Sequence, residues 1–141
     1  MSQFPNKDNV VLILCDDFRN EGDGKISIFG VFSDSIYVVS TNESGIAALP
    51  SLGIYVIFRD GLGEFKATID VRDPDGKSLL PPNAESQSVT KKSDEWMNFA
   101  IKFQPFSGPL GEYKLTLSLT DKDGVTQEYA QPFHVRQKKL H

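Results

Sequence analysis

Glu64-Phe65-Lys66-Ala67-Thr68-Ile69-Asp70-Val71-Arg72 alternates polar and apolar residues at every step. Successive side chains of an extended chain point to opposite faces, so this stretch has one apolar side and one wetted side. Tyr113-Lys114-Leu115-Thr116-Leu117-Ser118-Leu119-Thr120 keeps the same rhythm. Met97, Phe99, Ile101 and Phe103 repeat it against Asn98, Ala100, Lys102 and Gln104, as do Val125, Tyr129, Phe133 and Val135 near the end. Strands with one solvated face are the signature of an antiparallel sheet. Pro132 lacks a ladder donor and predicts an edge or a bulge at its position.

Val10 to Cys15, Ile26 to Phe32 and Leu52 to Phe58 are apolar on both faces and bounded by turn residues. They read as central strands. Glu43 to Leu49 is the best helix candidate, broken by Gly45 and closed by Pro50, with room for one turn. Glu21-Gly22-Asp23-Gly24, Asp73-Pro74-Asp75-Gly76 and Asp121-Lys122-Asp123-Gly124 each punctuate strand-like runs. Gly supplies positive φ, Pro presets φ and Asp accepts from nearby backbone donors, so each predicts a hairpin. Leu79 to Asp94 is the most polar region and predicts a loop plus one exposed edge strand near Ser86 to Thr90, blunted by Lys91 and Lys92. About eight or nine strands at this spacing predict one all-β domain over residues 1–141, an antiparallel sandwich of immunoglobulin-like or related topology. Gly111-Glu112-Tyr113, entering a late alternating strand, fits a tyrosine corner, in which the phenol bonds back to the backbone.

The remaining composition sets bounds. The chain has 141 residues, 39% of them apolar and 24% charged, with a net charge of −4 and one cysteine. One thiol excludes an internal disulfide and a multi-thiolate metal centre. The acid excess argues against nucleic acid as a partner, since phosphate neutralisation needs a basic face. Met1 to Asp8 lacks the pattern of a secretory signal. The strongest apolar run, Val10 to Cys15, falls far short of the roughly 20 residues that span a bilayer. The expectation is a cytoplasmic protein without a membrane partner. Asn42-Glu43-Ser44 has the form of a glycosylation acceptor, a pattern too short to argue secretion.

Cys15 with His134 has the composition of a thiol–base pair, but Cys15 ends an apolar strand and precedes two acids, which raise a thiol pKa. A buried structural thiol is the better reading. His134 alternates with Phe133 and Val135 and is expected at solvent or a rim, while His141 is terminal. Asp16, Asp17 and Asp23 are the metal candidates of the first turn, with Glu21 beside them and Asp73, Asp75, Asp121 and Asp123 at two others. Calcium wants six to eight oxygens in one pocket, and no EF-hand spacing is present, so turn-making is preferred. Arg19 is expected to satisfy these carboxylates, and Gly61-Leu62-Gly63 lacks the third glycine and the helix of a phosphate loop. Phe106 and Leu110, set among turn residues, are the candidates for partner binding, with packing over the sandwich end the preferred reading. The tail Arg136 to His141 is basic and reads as solvated.

Leu14-Cys15-Asp16-Asp17-Phe18-Arg19-Asn20-Glu21-Gly22-Asp23-Gly24-Lys25-Ile26-Ser27-Ile28-Phe29-Gly30-Val31-Phe32 resembles the N-terminal hairpin of a family of small uncharacterised bacterial proteins, a domain of unknown function. Leu49-Pro50, Gly63-Glu64-Phe65 and the Asp73 to Gly76 turn extend the likeness. Phe29 is bulkier than the aliphatic residue such proteins lead one to expect. The resemblance implies a β-sandwich and carries no activity or cofactor. With no nucleophile–base pair, metal spacing or nucleotide loop, the expected function is a non-catalytic binding or interaction module, its partner a protein or a second copy. The alternatives are a calcium-dependent or carbohydrate-type binding domain using the Asp-rich turns, and a small hydrolase using carboxylates of the 16–23 hairpin.

Overall fold

The computed structural model describes residues 2–80 and 86–138. Pro81-Pro82 and the end of the basic tail, with His141, lie outside the described residues. The strands are β1 (Val10–Gly22), β2 (Lys25–Val31), β3 (Ser35–Val38), β4 (Ile46–Leu49), β5 (Leu52–Phe58), β6 (Gly63–Arg72), β7 (Gln87–Lys91), β8 (Met97–Phe103), β9 (Phe106–Pro109), β10 (Gly111–Thr120) and β11 (Thr126–Gln137). They form a four-stranded sheet in the order β2-β1-β5-β8 and a five-stranded sheet in the order β3-β11-β10-β6-β7. A two-stranded ribbon, β4-β9, accompanies them. Among the described residues no helix is long and apolar enough to cross a membrane.

Alternation builds the core. Phe65, Ala67, Ile69 and Val71 of β6 and Tyr113, Leu115, Leu117 and Leu119 of β10 turn inward, where Leu14, Leu52, Ile54, Val56 and Phe58 of the other sheet meet them. All of these are buried, and their removal from water drives the sheets together. The tyrosine corner is present: Tyr113 is fully buried and its hydroxyl donates to the Pro109 carbonyl.

Several expectations needed correction. Among the described residues there are eleven strands rather than eight or nine, because the four-residue strands β3, β4 and β9 are too short to show a period. Glu43 and Ser44 form a turn and residues 46–49 a strand, so the helix expected at Glu43 to Leu49 is absent. All pairs are antiparallel except β3 with β11, which run parallel. Residues 26–32 do not form a central strand: β2 ends its sheet. β7 is an edge strand as expected, but Lys91 is 2% exposed and its ammonium turns back to the Lys92 carbonyl instead of blunting the edge in water. Pro132 sits where its missing donor costs nothing. His134 donates its backbone N–H to Asp34 on the β3 side, so the Pro132 nitrogen, two residues earlier, points the same way before β3 begins.

Candidate functional site

The acidic hairpin is the first place to look. Asp23 and Gly24 make its two-residue turn with φ of 52° and 73°, the double positive φ of a type I′ turn. Asp23 is therefore at the tip, six residues beyond Asp17. Asp16 and Asp17 are neighbours on a strand and face opposite sides. Asp16 packs over Gly30, where an added Cβ would meet its carboxylate oxygen at 2.2 Å. Asp17 binds the Lys102 ammonium of β8 and accepts from the Phe18 N–H at 2.9 Å. These two contacts hold the Asp17 carboxyl below its ordinary range.

A row across the sheet supports that ion pair. Cys15 lies opposite Gly53, which lies opposite Lys102. Gly53 has no side chain, so the Cys15 thiol and the Phe18 ring both settle over it. The Lys102 ammonium stands 4.7 Å from the centre of the Phe18 ring. Cys15 is fully buried, with Sγ 3.6 Å from the Gly53 carbonyl. Burial pushes its thiol pKa up, and Asp17 and Asp16 push it further. These side chains make a packed seam.

The other candidates are dispersed. Among the described residues no three His, Cys, Asp or Glu side chains converge to hold a metal ion. Asp73 Oδ1 accepts from the N–H groups of Asp75 and Lys77, and Asp121 Oδ1 from those of Asp123 and Val125, all at 2.9 Å. Asn42 does the same for Ser44 and Ile46. Each loop closes on a glycine of positive φ, Gly45, Gly76 or Gly124. The sequence reading missed the first of these, although Asn42-Glu43-Ser44-Gly45 shares the Asx-x-x-Gly spacing of the other two. His134 is half-buried on the face opposite Phe133 and Val135, a rim position, and its Nδ1 is shut from water without a partner among the described residues, between Ser35 of β3 on one side and Glu112 on the other. Arg19 stands 4.9 Å over the Phe29 ring and serves the acid pair only at a distance, its charge adding to the lowering of the Asp17 carboxyl. A surface depression of about 460 Å³ is lined by Pro74, Glu112, Tyr113, Lys114, Ala130 and Pro132, none of them from the acidic hairpin.

Phe106 and Leu110 pack over the sandwich end, the preferred of their two readings. Phe106 is 1% exposed, edge-on to Phe103 and tilted against Tyr113, and Leu110 packs on the same core. Both cover the sandwich end from inside. The large apolar residues left in water lie elsewhere: Phe29 and Val31 on β2, Tyr37 on β3 and Val39 just after it, at 42%, 62%, 59% and 60% exposure, with Leu62 and Val125 exposed singly at turns. Trp96, over which Arg59 stands at 5.4 Å, is exposed as well.

Fold and side chains together define a class, an all-β sandwich whose acidic hairpin and thiol are engaged in turn, ion pair and packing, with apolar side chains left open along one edge. The chain belongs to the family of unknown function DUF6941, whose model matches residues 10–136, from the first residue of β1 to the last but one of β11. Among curated proteins none matches it. Among solved structures it is similar to the soluble domain of PmoD from Methylocystis sp. ATCC 49242 (Rockwell), with 13% identity over 89% of this chain and 90% of that one, at a TM-score of 0.43.

Proposed function

We propose that this chain is a non-catalytic interaction module that engages a protein through the edge made by β2 and β3. The observation that carries this reading is the exposure of Phe29, Val31, Tyr37 and Val39 on two consecutive edge strands. Single exposed apolar residues are ordinary, whereas a cluster of them marks a contact surface. Residues 32–34 join the strands, and three residues reach about 10 Å, the spacing of stacked sheets. Both edges therefore lie on one side of the sandwich. An edge strand also offers unpaired N–H and C=O groups, the main-chain half of strand-addition recognition. The setting that goes with this reading is a bacterial cytoplasm, where a lone buried thiol such as Cys15 stays reduced.

The test is photo-cross-linking in cells with a benzophenone side chain placed at Val31, at Tyr37 or at the exposed Glu128 of β11. Protein adducts from positions 31 and 37 and none from 128 are expected. No adduct at 31 and 37, or equal adducts at all three, would remove the reading.

A further inference from the structure

We infer that the cavity at the end of β7 binds a phosphate group, held by the Lys91 ammonium together with Lys92, Ser2 and Ser93. β7 ends the five-stranded sheet at the edge opposite β3. The site is therefore separate from the β2–β3 surface and stands or falls without it.

Lys91 is the residue that calls for a ligand. At 2% exposure it is the one charged side chain buried among the described residues. A lysine ordinarily lays its stem on the protein and keeps its ammonium in water. This ammonium has three protons to donate. It reaches the Lys92 carbonyl and, among the described residues, pairs with no carboxylate. A buried charge without a counter-charge is costly, and an anion removes that cost. Lys91 lines a cavity of about 630 Å³, together with Ser2, Gly63, Lys92 and Ser93. That volume lies in the range of small-molecule sites.

Strand register explains why no acid of the chain answers Lys91. It pairs with Gly63 across the β6–β7 ladder, so its side chain leaves the sheet on the face where Gly63 has none. Ser2 takes that place, since a Cβ on Gly63 would meet Ser2 Oγ at 2.8 Å. A hydroxyl donor thus stands on the Lys91 face. Glu64 also lines the cavity, but it follows Gly63 and points to the opposite face, where Lys122 holds it at 3.2 Å. Asp123 contributes from the turn that carries Lys122. Asp94 and Glu95, just after Ser93, are exposed and do not line the cavity.

The donors select the class of anion. An ammonium is a point charge with rotatable donors and suits the several oxygens of a phosphate. Planar, two-pronged recognition of a carboxylate is the work of arginine, and no arginine lines the cavity. Two ammoniums, Lys91 and Lys92, match the charge of about −2 that a phosphate monoester carries at neutral pH. Free phosphate and a small phosphate ester present the same chemistry here, and the cavity has room for either.

Calorimetric titration and melting of the full chain in chloride buffer at constant ionic strength test the inference, with inorganic phosphate, glycerol phosphate and acetate as probes. Saturable binding of at least one of the two phosphates is expected, with acetate about tenfold weaker or worse and a melting temperature raised by the bound phosphate. Lys91→Met keeps an apolar stem and drops the charge. It should lose about tenfold or more in phosphate affinity. Without phosphate it should melt no lower than the parent, because an apolar group of similar volume replaces an unpaired buried charge without loss. Lys92→Gln should weaken binding by a smaller factor, and Lys114→Gln, exposed on β10 outside the cavity, should leave it unchanged. Tighter binding of glycerol phosphate supports an ester as the ligand, and tighter binding of inorganic phosphate supports the free ion. Absence of saturable binding for both phosphates overturns the inference. So does binding that Lys91→Met leaves intact, or that Lys114→Gln weakens as much as Lys92→Gln. If Lys91→Met does not fold, the comparison of Lys92→Gln with Lys114→Gln decides.

Discussion

The Tyr113 phenol donates a 2.7 Å hydrogen bond to the carbonyl of Pro109, four residues earlier in the chain. It does so from a fully buried ring stacked on Phe133 at 5.2 Å and tilted against Phe106 at 5.7 Å. One side chain thereby ties the short strand β9 to β10 and β11. Gly108 makes the arrangement feasible, since a Cβ there would meet the phenolic oxygen at 2.2 Å.

Tyr113→Phe removes one oxygen and leaves the Pro109 carbonyl without its donor, so the expected loss of stability is about 1 kcal/mol. Gly108→Ala forces the ring away and disturbs the packing as well, at about 2 kcal/mol. Urea unfolding at neutral pH measures both. A Tyr113→Phe protein as stable as the parent would show that the corner bond adds nothing.

High pH should act through the same residue. Burial, then Asp73 and Asp75, push the Tyr113 pKa up to about 12, and burial, then Asp60, push Tyr129 up to about 12. An unfolded tyrosine ionises near pH 10. Below that pH both states hold the proton and stability is flat with respect to these groups. From about pH 10 to 12 the unfolded chain loses protons that the folded chain keeps, so stability falls as pH rises. Melting curves across that window should fall less steeply for Tyr113→Phe than for the parent. Equal slopes would contradict the burial argument.

The three Asx loops predict a chemical distinction. Asp121→Ala removes acceptors from two N–H groups and should cost about 1 kcal/mol, whereas Asp121→Asn keeps an acceptor oxygen and should stay near the parent. A cation site would behave differently, because the amide forfeits the charge. Millimolar calcium is accordingly expected to leave the melting temperature unmoved, and a rise would reopen the calcium reading.

Gly53→Ala tests the seam behind the acidic hairpin. Its Cβ would lie 2.9 Å from both Cys15 Sγ and the Phe18 ring, so something must shift. A loss of about 1–3 kcal/mol is expected, the range for overpacking. The Cys15 thiol should also react faster with a disulfide reagent. An unchanged labelling rate would mean that the thiol is reached by some route other than displacement of this packing.

Much of this was legible from residue order. Alternation placed β6 and β10 within a residue or two, because each has one buried face, and burial on one face is what a period of two records. The tyrosine corner was legible for a similar reason, since its donor and acceptor are four residues apart. β4 and β9 were not, as four residues hold no period, and Glu43, Ala47 and Ala48 are helix formers whose preference the pairing with β9 overrides. The full burial of Phe106 is completed by a distant element, β4, and so was legible only as a preference for packing over the sandwich end.

The segment before β1 lies outside the family match, which starts at residue 10, yet it is built into the sandwich. Gln3 bridges Leu62 by backbone bonds of 2.7 and 2.8 Å, Phe4 packs on Phe65 at 5.2 Å, and the Tyr129 hydroxyl donates to the Pro5 carbonyl at 2.6 Å. Asp60 then receives the Asn6 N–H and the Asn9 amide, each at 2.9 Å. A chain begun at Val10 would strip the cover from Phe65 and leave the buried Tyr129 hydroxyl without its acceptor. Each loss is worth about 1–3 kcal/mol. Together they should lower the melting temperature by about 5 °C or more at this size. Tyr129→Phe in the full chain should show only the smaller, hydrogen-bond part of that drop. A truncated protein that melts with the parent would mean that the matched region alone holds the fold and that residues 2–9 merely rest on it.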